Sequence, residues 1–235
     1  MYDIDLHAHT RFFHGRRRLG DAYDPLGVRL LARVARARGL DAVVTTNHDY
    51  YRAFDPEIAG VAVLPGIEVS TTMGHVLVVG PDPPRETEPG TLEPAAVVEM
   101  AHARGCAAII AHPYRNSTVQ EVDAGFDAIE VNGKHPRTRE WVERLAEERG
   151  LPMTGGSDAH YPVEVGRAHT RVDSADLTPG SVARAIRTGS VEPRVDDWLP
   201  YRLIGRFYRY VHEGNAQFDA PDWATPGVGA PPEDD

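Results

Sequence analysis

Seven short apolar runs, each able to form a strand, recur along the 235 residues, and most of them close on a histidine or a carboxylate. The runs are Tyr2–Leu6, Ala42–Thr46, Val61–Pro65, Val76–Val79, Ala107–Ala111, Ala128–Val131 and Pro152–Thr154. Between them lie amphipathic stretches at Leu26–Arg38, Pro94–Arg104, Arg137–Arg149 and Val182–Arg187. In the first stretch Leu26, Leu30, Leu31, Val34 and Ala35 recur at helical spacing, and Gly39 supplies a stop. The fourth is introduced by Thr178 as N-cap and Pro179 at the first helical position. Strand-then-helix repetition predicts an α/β fold on a largely parallel sheet.

The polar ends of the runs narrow the choice further. His7, His48, Glu68, His112 and Asp158 each fall at or just beyond the C-terminal end of a strand. An α/β barrel gathers such positions on one rim, so residues as distant as 7 and 160 can meet there. Seven of the eleven histidines lie in six segments: His7-Ala8-His9, His14, Asn47-His48, Glu68 with His75, His112-Pro113, and Ser157-Asp158-Ala159-His160. Imidazole and carboxylate are preferred ligands of divalent transition metals, so the pattern predicts a multinuclear metal site. An H-x-H pair on a strand end directs both imidazoles to one side, because side chains alternate with period two. Asp5 shares that face and is expected to orient an imidazole.

Composition limits the alternatives. A formal charge of −10 argues against an extended basic surface for nucleic acid. Arginine carries nearly all the positive charge, since Lys134 is the only lysine, and Arg16-Arg17-Arg18 forms a local basic cluster. One cysteine, Cys106, excludes an intrachain disulfide and a thiolate metal cluster. No apolar run approaches the ~20 residues that span a bilayer, so no membrane association is expected. The N-terminus lacks the basic and apolar regions of a secretory signal, and a cytoplasmic location is the expectation. Gly80–Pro94 reads as a surface loop. The expected domain covers residues 1–197. Beyond it, 198–235 reads as an aromatic-rich amphipathic helix over Leu199–His212 and a disordered tail rich in Pro, Gly and Asp.

Five motifs occur in order: Asp5-Leu6-His7-Ala8-His9-Thr10, Thr46-Asn47-His48-Asp49, Pro65-Gly66-Ile67-Glu68, Ala111-His112-Pro113 and Gly156-Ser157-Asp158-Ala159-His160. Together they resemble the polymerase and histidinol phosphatase (PHP) family over roughly residues 2–195. Leu177–Pro193 also looks like the helix and short strand that close that domain. The resemblance implies a distorted seven-stranded, TIM-like (β/α) barrel holding two to three divalent transition metal ions, manganese, zinc or iron. Carried over motif by motif, His7, His9, Glu68 and Asp158 hold one ion. Glu68 bridges to a second ion with His75 and His112, and His14, His48 and His160 hold the third. His14 stands where many members carry aspartate, which leaves the site about one charge more positive and suits a phosphate dianion. Asn47 replaces a common aspartate; it can accept a hydrogen bond from an imidazole but carries no charge.

The implied activity is that of a metal-dependent phosphoesterase, with His7, His9, Glu68, Asp158 and His160 at the catalytic heart. Two ions bridged by a carboxylate can share a hydroxide of near-neutral pKa and polarise a phosphoryl oxygen for in-line attack. No nucleophile elbow or phosphate-binding glycine loop is present. Arg17, Arg115 and Arg167 are the candidate phosphate contacts, because guanidinium forks match phosphoryl oxygens. Asn132, Lys134 and His135 are further candidates to line the rim. The substrate expected is a small phosphomonoester or a short nucleic-acid end. Two other classes compete: a non-catalytic PHP-like assembly module, such as an RNA-processing subunit, and an amidohydrolase. The first would be marked by eroded ligands, and these are retained. The second usually needs a carbamylated lysine or carboxylate bridge on a middle strand, a place that Glu68 fills.

Overall fold

In the computed structural model, residues 1–11, 20–115, 117–134 and 138–196 are described. His14, Arg17, His135 and the expected C-terminal helix and tail lie outside them. Among these residues ten strands and four α-helices follow one another: β1 (Tyr2–Ala8), α1 (Gly20–Ala37), β2 (Ala42–Thr45), β3 (Glu57–Ile58), β4 (Val61–Thr71), β5 (Gly74–Val79), α2 (Pro94–Ala103), β6 (Ala107–Ile110), β7 (Ala128–Asn132), α3 (Arg139–Arg149), β8 (Met153–Gly156), β9 (Ala168–Val172), α4 (Pro179–Arg187) and β10 (Val191–Val195).

The sheet runs β10-β9-β1-β2-β4-β5-β6-β7-β8 and closes on itself. Closure is made where β8 meets β1. Ala8 and Ala159 form a parallel bridge, the Asp158 N–H donates to the His7 carbonyl at 2.8 Å, and the His9 N–H donates to the Ala159 carbonyl at 3.1 Å. Seven strands, β1, β2, β4, β5, β6, β7 and β8, thus make a barrel-like ring. β3, β9 and β10 are added to it. The ring is mixed rather than all parallel: β5 runs antiparallel to both β4 and β6. That reversal matters because it brings the start of β5, not its end, to the rim where the other ring strands finish.

Apolar packing explains the layers. α1 buries Val28, Leu31, Ala32 and Ala35 against Val43, Val61 and Val63. The sequence spacing had placed Leu26 and Leu30 on that face, but both are exposed. α2 and α3 bury Val97, Val98, Val142 and Leu145 over the outward residues Val69, Val76, Ile110 and Ile129. α4 touches both β6 and β9. Its Val182 and Ile186 join Ile4, Val44, Leu64, Leu77 and Ile109 in one cluster. α4 follows β9, whose end pairs with the start of β1, so it covers the end of the ring opposite the histidines. The Thr178 hydroxyl accepts from the Ser181 N–H at 3.3 Å, as an N-cap should. No helix among the described residues is long and apolar enough to cross a membrane.

Candidate metal centre

Every ring strand, or the segment just after it, delivers a polar side chain to the open rim. β1 presents His7 and, one residue beyond its end, His9. The segment after β2 carries His48, and β4 carries Glu68. His75 is the second residue of β5, His112 follows β6, Glu130 lies on β7, and Asp158 and His160 follow β8. The β4–β5 hairpin sets Ser70 opposite His75, which puts Glu68 diagonally across from the imidazole. A tight turn at Thr72-Met73 therefore brings two groups seven residues apart to 2.7 Å.

Glu68 is the hub. Its Oε2 lies 3.1 Å from His7 Nε2, 3.3 Å from His9 Nε2 and 3.1 Å from His48 Nδ1. Its Oε1 lies 2.7 Å from His75 Nδ1 and 2.9 Å from His112 Nε2. One carboxylate thus separates five imidazoles into two sets. Asp158 Oδ1 faces His9 Nε2 at 3.3 Å, His160 Nδ1 at 3.1 Å and His7 Nε2 at 3.7 Å. Its Oδ2 faces Lys134 Nζ at 3.2 Å and the guanidinium of Arg115.

Glu130 was not assigned a role from the sequence, and it proves central. Its Oε1 lies 2.8 Å from His7 Nδ1, and its Oε2 accepts the His112 N–H at 2.8 Å and the Asn132 amide at 3.2 Å. Held at Nδ1, the His7 ring directs Nε2 toward Glu68 and Asp158, the arrangement that carboxylates impose on metal-binding histidines. Asp5, expected in that role, does something else. It accepts backbone N–H groups from His7 at 3.3 Å, Ser157 at 3.0 Å and Gly166 at 2.9 Å, bracing the β1–β8 seam. Asn47 likewise accepts from the Thr10 N–H at 2.9 Å and the Thr10 hydroxyl at 3.1 Å rather than from an imidazole.

The electrostatics suit bound cations. Burial alone would raise Glu68, but His48, His7 and His75 outweigh it and hold the carboxyl well below its usual range. Burial also opposes ionisation of Asp158, yet Lys134, Arg115 and His160 keep it charged. Burial pushes His9, His48 and His112 down, so these rings are neutral and have lone pairs to give. His7 and His75 are the exceptions: against burial, Glu130 and Glu68 raise His7, and Glu68 raises His75. Ligand atoms of His7, His9 and Glu68 lie within 4.8 Å of one another, as do those of His9, His48 and His160 and those of His48, Glu68 and His75. His112 Nδ1 is buried with no partner among the described residues. This all-imidazole and carboxylate donor set fits borderline divalent ions. His112 and Asp158 also hold positive φ angles of 26° and 50°. Their N–H groups are pinned by Glu130 and by the His7 carbonyl, which hold that sparsely populated backbone in place.

Residues 136–191 match the family profile described as PHP-associated. Three solved structures share the fold. PsfC from Pseudomonas syringae superposes with a TM-score of 0.67 at 20% identity, covering 90% of this chain and 98% of that one. A two-domain protein from Bacteroides vulgatus, containing a "predicted PHP-like metal-dependent phosphoesterase", gives 0.56 at 19% identity over 88% and 69%. The lesion-specific endonuclease PfuEndoQ from Pyrococcus furiosus gives 0.58 at 20% identity over 82% and 57%. The chain shares the fold of these structures, and its segment 136–191 carries the PHP-associated profile. No curated protein matches it in sequence.

Eight of the nine ligands that the PHP resemblance implies lie among the described residues, and they converge on this one centre. His14 lies outside the described residues, as does Arg17. Arg115 reaches the centre through Asp158. Arg167 is placed differently. Its side chain is buried, and its charged neighbours are Glu164, Arg38 and Asp196. Beside His48 opens a cleft of about 710 Å³ lined by Arg11, Tyr50, Tyr51, Arg52 and Arg85 among others. The Arg11 guanidinium sits 4.5 Å from the Tyr50 ring centroid, and Arg11 and Tyr50 both meet the buried Asp24.

Proposed function

We propose that the chain is a metal-dependent phosphoesterase acting on a small phosphomonoester or a short nucleic-acid end. The observation that carries this reading is the split of Glu68, whose two oxygens face different sets of imidazoles. A bridging carboxylate of this kind is what a pair of neighbouring cations needs. His7, His9, Glu68 and Asp158 would hold one ion; Glu68, His75 and His112 a second; His48 and His160, with His14, a third. Bound there, divalent ions would supply an activated water at neutral pH and positive charge against the phosphoryl oxygens.

The remaining groups do ordinary protein work. Glu130 fixes the His7 tautomer, and Asp5 locks the seam that carries Asp158. Arg115 stands beside Asp158, with 30% of its side chain exposed, so it can meet substrate phosphate while its carboxylate partner serves the ions. The cleft beside His48 has room for a nucleoside- or sugar-sized leaving group. PfuEndoQ is lesion-specific on its own substrate, and a phosphodiester end is compatible with the same chemistry here.

The test is metal content by mass spectrometry on chelator-free protein, coupled to a screen of phosphomonoesters and short oligonucleotides. About two to three ions per chain are expected. Glu68→Gln should lose ions from both sets together and lower turnover on the order of 100-fold or more. Protein that binds no manganese, zinc or iron on reconstitution would instead indicate a non-catalytic module.

A further inference from the structure

Among 25 lysines and arginines the chain uses lysine once, and that lysine stands at the metal centre. Lys134 follows β7, its N–H donating to Asn132 Oδ1 at 2.9 Å. Its side chain is only 13% exposed, with Nζ 3.2 Å from Asp158 Oδ2 and 2.8 Å from His160 Nδ1. An ammonium can only donate, so the contact to His160 competes with the 3.0 Å bond that the same ring nitrogen makes to the Asp158 carbonyl. The one undisputed partner of Lys134 is therefore Asp158 Oδ2, which it shares with Arg115.

We propose that Lys134 is a phosphate-binding residue of this centre, held on Asp158 while the site is empty and turned to the substrate's phosphoryl oxygens once cations occupy it. The inference rests on the phosphoesterase reading above. Charge balance drives it. Lys134 and Arg115 both lean on the one oxygen Asp158 Oδ2, so two cationic groups share a single carboxylate. Divalent ions held by Asp158 would take up that carboxylate, which leaves a largely buried ammonium in excess of its partners. A phosphate dianion restores the balance. Lysine suits the place better than arginine because its compact ammonium donates in three directions on a flexible stem, whereas a guanidinium needs a planar, two-point partner.

The experiment compares wild type, Lys134→Met and Lys134→Arg, each loaded with Mn2+, using inorganic phosphate as the probe. Lys134→Met should bind Mn2+ as tightly as wild type or more tightly, since a competitor for Asp158 is gone. Its inhibition constant for phosphate should rise about tenfold, with kcat/KM falling to match. Lys134→Arg should fall between the two. Phosphate inhibition and KM within twofold of wild type would overturn the proposal, as would loss of Mn2+ from Lys134→Met. A second measurement needs no variant. Amine-selective acylation of wild-type protein labels one internal site, and phosphate should slow labelling of Lys134 in the Mn2+-loaded form but not in the metal-free form. Equal labelling with and without phosphate sinks the idea even if the variants misfold. Wild type that binds no phosphate at all overturns the phosphoesterase reading as well; wild type that binds it indifferently to residue 134 overturns this inference alone.

Discussion

Glu130 governs two candidate ligands at once, through the His7 ring at 2.8 Å and the His112 backbone at 2.8 Å. A carboxylate accepts at both oxygens, so neither bond depends on its orientation. Glu130→Gln keeps the shape but offers only one accepting oxygen, so either His7 or His112 loses its restraint. Metal affinity should fall about 10- to 100-fold with the fold intact, read by competition against a chromogenic chelator. Affinity equal to wild type would show that His7 is oriented by something else. The sequence displayed Glu130 plainly, in the strand Ala128-Ile-Glu-Val-Asn, but nothing local marks an inward carboxylate as a histidine's partner. The same blindness assigned that partnership to Asp5. Alternation along β1 set Asp5 on the side of His7, while the backbone of β8, absent from any local reading, supplied donors closer to hand.

Among the elements, β8 is the one on which the site depends most. It is short, reads Met-Thr-Gly-Gly, and sets Gly155 against the His169 backbone and Gly156 against the side chains of Glu130 and His7. A Cβ on Gly156 would come within 2.1 Å of Glu130 Oε1 and 2.5 Å of His7 Cβ, both far inside contact distance. Gly156→Ala must push apart the very pair that orients His7. It should destabilise the protein by about 1–3 kcal/mol and weaken metal binding in parallel, as measured by urea unfolding and metal titration. A stable variant with normal affinity would contradict the packing described for the seam. The ring strands and all four helices were legible because their apolar patterns are strong. β9 was not, since Ala-His-Thr-Arg-Val is half-buried and its outward His169 and Arg171 dilute the pattern. β3 is two residues long and carries no pattern at all. α1 exposes the opposite lesson. Leucines at good spacing predicted its buried face, yet the smaller Val28 and Ala32 pack closely on β2 and β4 while Leu26 and Leu30 point away.

At the scale of the whole molecule, the centre exists only because the ring closes. His7 and Asp158 are 151 positions apart in sequence, and the hydrogen bonds of the β1–β8 seam bring them together. The ordered motifs made the ligand list readable from sequence, since each sits at or just after the end of its own strand except Glu68, which lies within β4 because that strand runs on to Thr71 to pair with β5. The division of labour around Glu68 was supplied by the family resemblance and took physical form only in three dimensions, through an antiparallel β5 that the strand pattern alone did not reveal. Ion binding should consequently stabilise the entire barrel rather than one loop, because the candidate ligands come from β1, β4, β5 and the segments after β2, β6 and β8. At a free metal concentration about 100 times Kd, binding adds roughly 2.7 kcal/mol. For a chain of this size that corresponds to a rise in Tm of about 5–10 °C over protein stripped with a chelator. The shift should shrink in Glu68→Gln, which weakens both sets of ligands, and persist in Arg115→Ala, which removes no ligand. A melting temperature indifferent to metal, or a shift unchanged by Glu68→Gln, would mean that the ions bind elsewhere than across the seam.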